Sequence, residues 1–162
     1  MCVAVSTSDV ARGEAFDYWR NIAYYHFDAE RQPPCGRDKF QAHAYALMTP
    51  GGDLCLYRSH GIGGRRTARQ IRLDGGDSFA FGMVLSGRRL HRDEEDGVTV
   101  AGPGDFFCYD ATRVSQVRWE DHMGVHLFLP RAMLEAAVGT PVPPASDLIR
   151  QVQQSRLSCA VT

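Results

Sequence analysis

Nowhere in this sequence do two cysteines stand as a Cys-x-x-Cys pair. The five present, Cys2, Cys35, Cys55, Cys108 and Cys159, are scattered and odd in number, which argues against a disulfide framework and a zinc site and points to a reducing compartment. Long apolar runs are missing as well. No stretch reaches the roughly 18 apolar residues of a membrane span, and Met1-Cys-Val-Ala-Val-Ser lacks the positive start and apolar run of a signal peptide. The chain reads as soluble and cytoplasmic. There is no basic surplus either, since 18 Lys and Arg face 19 Asp and Glu for a net charge of -1. Without clustered positive charge these residues do not hold nucleic acid by themselves.

Signatures of catalysis are equally scarce. There is no Gly-x-Ser-x-Gly elbow, and Gly61-Ile-Gly-Gly-Arg-Arg lacks both the third-glycine spacing of a dinucleotide loop and the Lys of a P-loop. The six histidines, His26, His43, His60, His91, His122 and His126, include no His-x-His pair, the strand spacing that would set two ligands about 7 Å apart on one face. His122 and His126 are four residues apart, which on a helix would make a metal pair. The surrounding Val-His-Leu-Phe-Leu reads as a strand, where that spacing separates the side chains by about 13 Å. No metal and no cofactor is expected, and His126, alternating with Phe128, is a candidate to face the interior and touch a ligand.

What is present describes one ordinary folded domain. A chain of 162 residues, 44% hydrophobic and 23% charged, buries roughly 70% of the surface of its unfolded state in a single core. From Glu14 to Phe27 the residues Phe16, Trp19, Ala23 and Phe27 recur at helical spacing, and the Arg31-Gln-Pro-Pro-Cys-Gly stretch ends that helix. Between Phe40 and Leu129 the pattern changes to short apolar or alternating runs: Phe40 to Leu47, Leu54 to Ser59, Ser78 to Ser86, Val98 to Ala101, Asp105 to Tyr109, Ser115 to Trp119 and Met123 to Leu129. About seven or eight short strands with Gly, Pro and Asp between them indicate a sandwich or barrel. Helix returns after Pro130 through Ala132, Met133, Ala136 and Ala137, with Gly139 as its cap. After Thr140-Pro-Val-Pro-Pro, Ser146 or Asp147 caps a last helix through Leu148, Ile149 and Val152.

Three side-chain groups stand out from this background. Asp93, Glu94, Glu95 and Asp96 before Gly97 read as a solvated hairpin turn, because consecutive residues diverge and cannot converge on an ion. Arg65, Arg66, Arg69 and Arg72 either edge a strand in solvent or bind a phosphate or carboxylate. Strand alternation would put Arg65, Thr67 and Arg69 on one face, making Arg69 the candidate for an acidic ligand. Phe79, Phe81 and Met83 alternate along one strand while Tyr57, Tyr109 and Trp119 lie in others. These six either fill a core or, in a barrel wide enough for one small ligand, line its pocket.

The order of Phe16-Asp-Tyr-Trp-Arg, Arg66-Thr-Ala-Arg, Phe81-Gly-Met-Val-Leu-Ser-Gly, Ala101-Gly-Pro-Gly-Asp and Leu127-Phe-Leu-Pro-Arg-Ala-Met-Leu resembles the N-terminal effector-binding domain of AraC/XylS-type bacterial transcription regulators, in its cupin-like form. The resemblance spans roughly residues 10 to 140 and implies a mainly β, cupin-like barrel or jelly roll with an N-terminal helix and two C-terminal helices. By that reading residues 1–129 form the helix and the effector-binding barrel, and 130–162 a helical dimerisation or linker region. The resemblance further implies a small-molecule effector in the barrel and a homodimer, with Leu134, Val138, Leu148, Ile149 and Val152 available for that contact. DNA would be reached only through helix-turn-helix units, and none begins before Thr162. The metal-binding His-x-His plus Glu pattern of enzymatic cupins is missing, so a sensor is expected rather than an enzyme. A cupin-like enzyme and a non-catalytic protein-interaction barrel are the alternatives.

Overall fold

The computed structural model describes residues 1–33, 39–94 and 97–159. In chain order the elements are β1 (Cys2–Ser6), α1 (Ala15–Ile22), β2 (Asp28–Arg31), β3 (Ala42–Thr49), β4 (Gly52–Ser59), β5 (Ile62–Arg66), α2 (Ala68–Asp74) and β6 (Ser78–Ser86). Then come β7 (Arg89–Asp93), β8 (Gly97–Ala101), β9 (Phe106–Asp110), β10 (Ser115–Trp119), β11 (His122–Pro130), α3 (Arg131–Val138) and α4 (Ala145–Cys159). Every strand pairing is antiparallel. One sheet runs β1-β3-β4-β11-β6-β9 and the other β2-β5-β10-β7-β8. Their apolar faces meet in a shared core holding Ile62, Val117 and Trp119 from one sheet and Ala80, Val84 and Phe107 from the other. This is the mainly β, cupin-like arrangement.

The six-stranded sheet is buried on both sides at its β6–β9 end. Alternation points Phe79 and Phe81 outward, where they and Cys108 pack under Leu134, Ala145, Leu148 and Ile149 of α3 and α4. The inward positions of β6 are small. A side chain at Gly82 would strike the Phe107 ring 2.2 Å away, so glycine there lets an aromatic ring lie flat on the strand.

Several expectations need correction. The first helix stops at Ile22, five residues before Phe27, because the chain must turn to pair Asp28–Arg31 with β5. The segment after Arg66 is the helix α2, not a strand, so Arg65 and Arg69 do not share a strand face. Helix α4 starts at Ala145, with the Pro144 carbonyl accepting from the Asp147 and Leu148 amides, so Ser146 and Asp147 lie inside its first turn. Gly139 does cap α3, at φ 70° and with its amide donating to the Glu135 carbonyl. Glu95 and Asp96 of the acidic turn lie outside the described residues.

Arg66 fastens these layers. It is 1% exposed, yet its donors are well placed: Nε donates to the Ala111 carbonyl at 2.5 Å, Nη1 to the His26 carbonyl at 2.8 Å, and Nη1 and Nη2 to the two Asp74 oxygens at 2.7 and 3.0 Å. Burial pushes the Asp74 carboxyl up, but hydrogen bonds from Arg66, His26 and the Gly76 amide outweigh it and hold it well below the usual carboxylate range. Removing one partner of such a pair strands the other charge in a low-dielectric site. Arg66→Met should therefore cost about 3 to 5 kcal/mol in urea unfolding. A loss under about 1 kcal/mol, the level of a surface pair, would show that the clamp is not structural.

Candidate functional site

Between the sheets the core leaves a cavity of about 520 Å³, within the size range of small-molecule sites. Its position follows from strand alternation. Tyr57 of β4 and His126 of β11 point inward from one sheet, Arg89 of β7 and Trp119 of β10 from the other, and Tyr109 of β9 closes the end. Trp19 and the Ala23–Phe27 segment form a further wall, and Thr49, Pro50 and Gly52 of the β3–β4 turn stand at the rim. Rings dominate the lining. His122 stacks on Trp119 with centroids 4.2 Å apart at 17°, and His126 lies 5.8 Å from the same indole while hydrogen-bonded to the Tyr57 hydroxyl.

Arg89 is the polar centre of the cavity. The residue is 2% exposed, and its guanidinium carbon sits 4.3 Å from the Phe107 ring centroid, 5.4 Å from Tyr109 and 5.7 Å from Trp119. Ring faces attract the charge but offer its N–H groups little. Nε and Nη2 of Arg89 have no protein hydrogen-bond partner, nor do the Tyr24 hydroxyl, Trp19 Nε1 and His122 Nε2, which also belong to cavity-lining residues. Burial pulls the Arg89 pKa down, but a guanidinium stays protonated at any ordinary pH.

Its field marks the neighbours. Burial, with the Arg89 charge adding to it, holds the His91 imidazole down to about 3, and burial, Arg89 and His122 together hold His126 well below its ordinary value. Burial lowers His122 to about 4 against the opposing pull of the Glu120 carbonyl, which accepts from Nδ1 at 2.8 Å. With Nδ1 donating, the free Nε2 of this neutral ring is an acceptor. Burial raises Tyr109 to about 12 although Arg89 opposes it, and Tyr24 and Tyr57 are pushed above their ordinary range by burial first. The phenols and imidazoles of the cavity are neutral; the arginine is not.

Of the pocket candidates read from sequence, Tyr57, Tyr109, Trp119 and His126 line the cavity. Phe79, Phe81 and Met83 do share a face, but it is the outer face of β6, with Phe79 and Phe81 under the C-terminal helices. Arg69 lies exposed on α2, away from the lining. Among the helix residues, Leu134, Leu148 and Ile149 are committed to the domain's own core, because the barrel does cover part of both stripes, while Val138 and Val152 stay exposed at 57% and 38%. Arg89 itself was missed. It sits in Arg-Leu-His-Arg-Asp, where Arg89, His91 and Asp93 face inward while Leu90 faces out with Arg92, against the usual amphipathic signal. His122 could have been found from its two-residue alternation with His126. Among the described residues, no three His, Cys, Asp or Glu side chains gather as a metal set.

No protein-family model matches the sequence, and no curated protein matches it. Among solved structures, the chain is similar to the AraC-like transcriptional activator CuxR, with 20% identity and a TM-score of 0.76 over 86% of this chain. It spans about half of that protein, 51% of its length. KdgF from Halomonas sp. is 18% identical over 68% of this chain and 91% of its own, with a TM-score of 0.42. Ectoine synthase from P. lautus is 14% identical over 64% and 75%, with a TM-score of 0.43. The first likeness establishes the fold.

The buried imidazoles make stability depend on pH. Their folded pKa values lie below the 6.5 of the free ring, so the unfolded chain takes up protons that the folded chain refuses, and stability drops on acidification. The contribution is full above about pH 6.5 and declines from there toward about pH 4, above most of the carboxylate range. The urea midpoint should fall between about pH 7 and 5. A flat midpoint over that interval would mean that the rings are solvated.

Proposed function

We propose that this chain is the ligand-sensing and dimerisation part of a bacterial transcription regulator of the AraC type, binding a small-molecule effector inside its barrel. The observation that carries the reading is the 520 Å³ cavity, walled by rings and containing polar atoms without protein partners, within a barrel that shares its fold with an AraC-like activator. Enclosed apolar volume with a few convergent polar groups is the usual form of a small-molecule site. By this reading the protein is cytoplasmic and a binder rather than an enzyme. Contact with DNA would belong to a separate C-terminal part of the regulator.

The self-association half of the reading rests on apolar surface. Leu47, Leu54 and Leu127 stand side by side across β3, β4 and β11 on the outer face of their sheet, and all three are exposed. Exposed Met133 of α3 reaches the adjoining turn at Gly51, which brings the patch to the helices that carry Val138 and Val152. A two-fold dimer would cover such surface.

Two measurements test the two halves. A thermal-shift screen with a broad small-molecule library should find compounds that raise Tm, and their effect should weaken in Trp119→Ala. A library that protects nothing would remove the sensor function. Sedimentation at tens of micromolar should show a dimer that Leu54→Asp with Val138→Asp converts to monomer. A monomeric wild type, or a variant that dimerises equally well, would remove the dimer.

A further inference from the structure

Among the described residues two arginines are buried in this barrel, Arg66 and Arg89, and they differ in one respect. Arg66 directs its donors at a carboxylate and two carbonyls, whereas Arg89, equally buried, keeps Nε and Nη2 without any partner. A guanidinium taken out of water without a counter-charge is costly, and the penalty normally selects against such a residue unless something else satisfies it. No carboxylate among the described residues pairs with Arg89, and the tyrosines around it, Tyr109, Tyr57 and Tyr24, are neutral phenols. The rings of Phe107, Tyr109 and Trp119 hold the group in place. Their faces leave its in-plane N–H groups, the ones that match a carboxylate, unused.

We infer that the ligand of this cavity is a small monocarboxylate with an apolar body, its carboxylate paired with Arg89. The inference rests on the effector-binding reading and names the chemical class of that effector. The charge count sets the anion: among the described lining residues Arg89 is the sole Lys or Arg, and neither lining carboxylate acts on it, Asp77 being paired with Arg131 and Asp53 standing beside the rim turn, so one negative charge is balanced and the two charges of a phosphate monoester are not. The walls set the body, because Val3, Val5, Ala44, Ala46 and Val117 offer apolar area and no donors. The free acceptor at His122 Nε2 and the unpartnered Tyr24 hydroxyl add places for a hydroxyl or amide on that body.

The test uses matched pairs of probes, octanoate with octanamide and 4-phenylbutyrate with 4-phenylbutyramide, read by thermal shift and by tryptophan fluorescence. The expected result is that the acids protect the wild type and the amides do not. Arg89→Met should bind the acids about a hundredfold more weakly, as expected for removing one member of a desolvated charge pair, and Arg89→Lys should retain part of the affinity. Without ligand, Arg89→Met should melt at a higher temperature than the wild type, because an uncompensated buried charge is gone. That readout separates a ligand-directed arginine from a structural one, and a lower Tm in both Arg89→Met and Arg89→Lys overturns the inference. Amides that bind as tightly as the acids, or acids that bind Arg89→Met undiminished, also overturn it while leaving the sensor reading intact. If neither the acids nor any compound of the broader library protects the wild type, both fall.

Discussion

The Arg66–Asp74 pair carries more of this architecture than its size suggests. Asp74 is the last residue of α2, Arg66 the last of β5, and His26, bonded to both the guanidinium and the carboxylate, belongs to the segment between α1 and β2. One ion pair therefore fixes a helix, a strand and a connection to one another. That connection, residues Ala23 to Phe27, is a wall of the internal cavity. Without the clamp the wall would be held against the barrel by ring contacts, Phe27 with Tyr109 and His26 with Phe128, and by its shared core contacts.

Satisfied and unsatisfied polarity are sorted in space by this arrangement. The outer clamp uses a short acid–base pair whose desolvation is offset by several hydrogen bonds, the condition under which buried charge is tolerated. The inner chamber concentrates orphaned polar atoms: Arg89, Tyr24, Trp19 and His122 each leave at least one without a protein partner. Native interiors keep few such atoms, and a cluster of them asks for an explanation. Here they belong to residues around a cavity, and burial, with the charge at its centre adding to it, lowers the basicity of the imidazoles nearby.

Alternation in the sequence reveals strands well and faces poorly. β6, β10 and β11 announce themselves by apolar residues at every second position, and the structure places them within a residue of the expected bounds. The phase of β6 was not legible, because Phe79 and Phe81 on one side and Ala80 and Val84 on the other are all wholly or partly covered, so hydrophobicity does not distinguish inside from outside. β7 failed for the opposite reason. Its inward side carries Arg89, His91 and Asp93, which sequence reasoning assigns to solvent. The arginine-rich stretch was legible as chemistry but not as geometry: the change from strand to helix at Thr67 buries Arg66 and exposes Arg69. Four of the cavity residues, Tyr57, Tyr109, Trp119 and His126, were readable as rings on short strands, although Phe79, Phe81 and Tyr45 show that a ring on a strand can also face outward.

β9 is a partition one residue thick. Tyr109 faces the chamber beside Arg89, while its chain neighbour Cys108 faces the other way into the cluster that seats α4 through Ala145, Leu148 and Ile149. A rigid strand cannot shift on one side alone. Helix α4 is 15 residues long, roughly 22 Å at helical rise, and it is seated by its first turns. It is thus a lever with its fulcrum on the cavity wall. A tilt of about 5° at the seat swings the far end by about 2 Å, so a displacement too small to alter the barrel is enlarged where the helix leaves it.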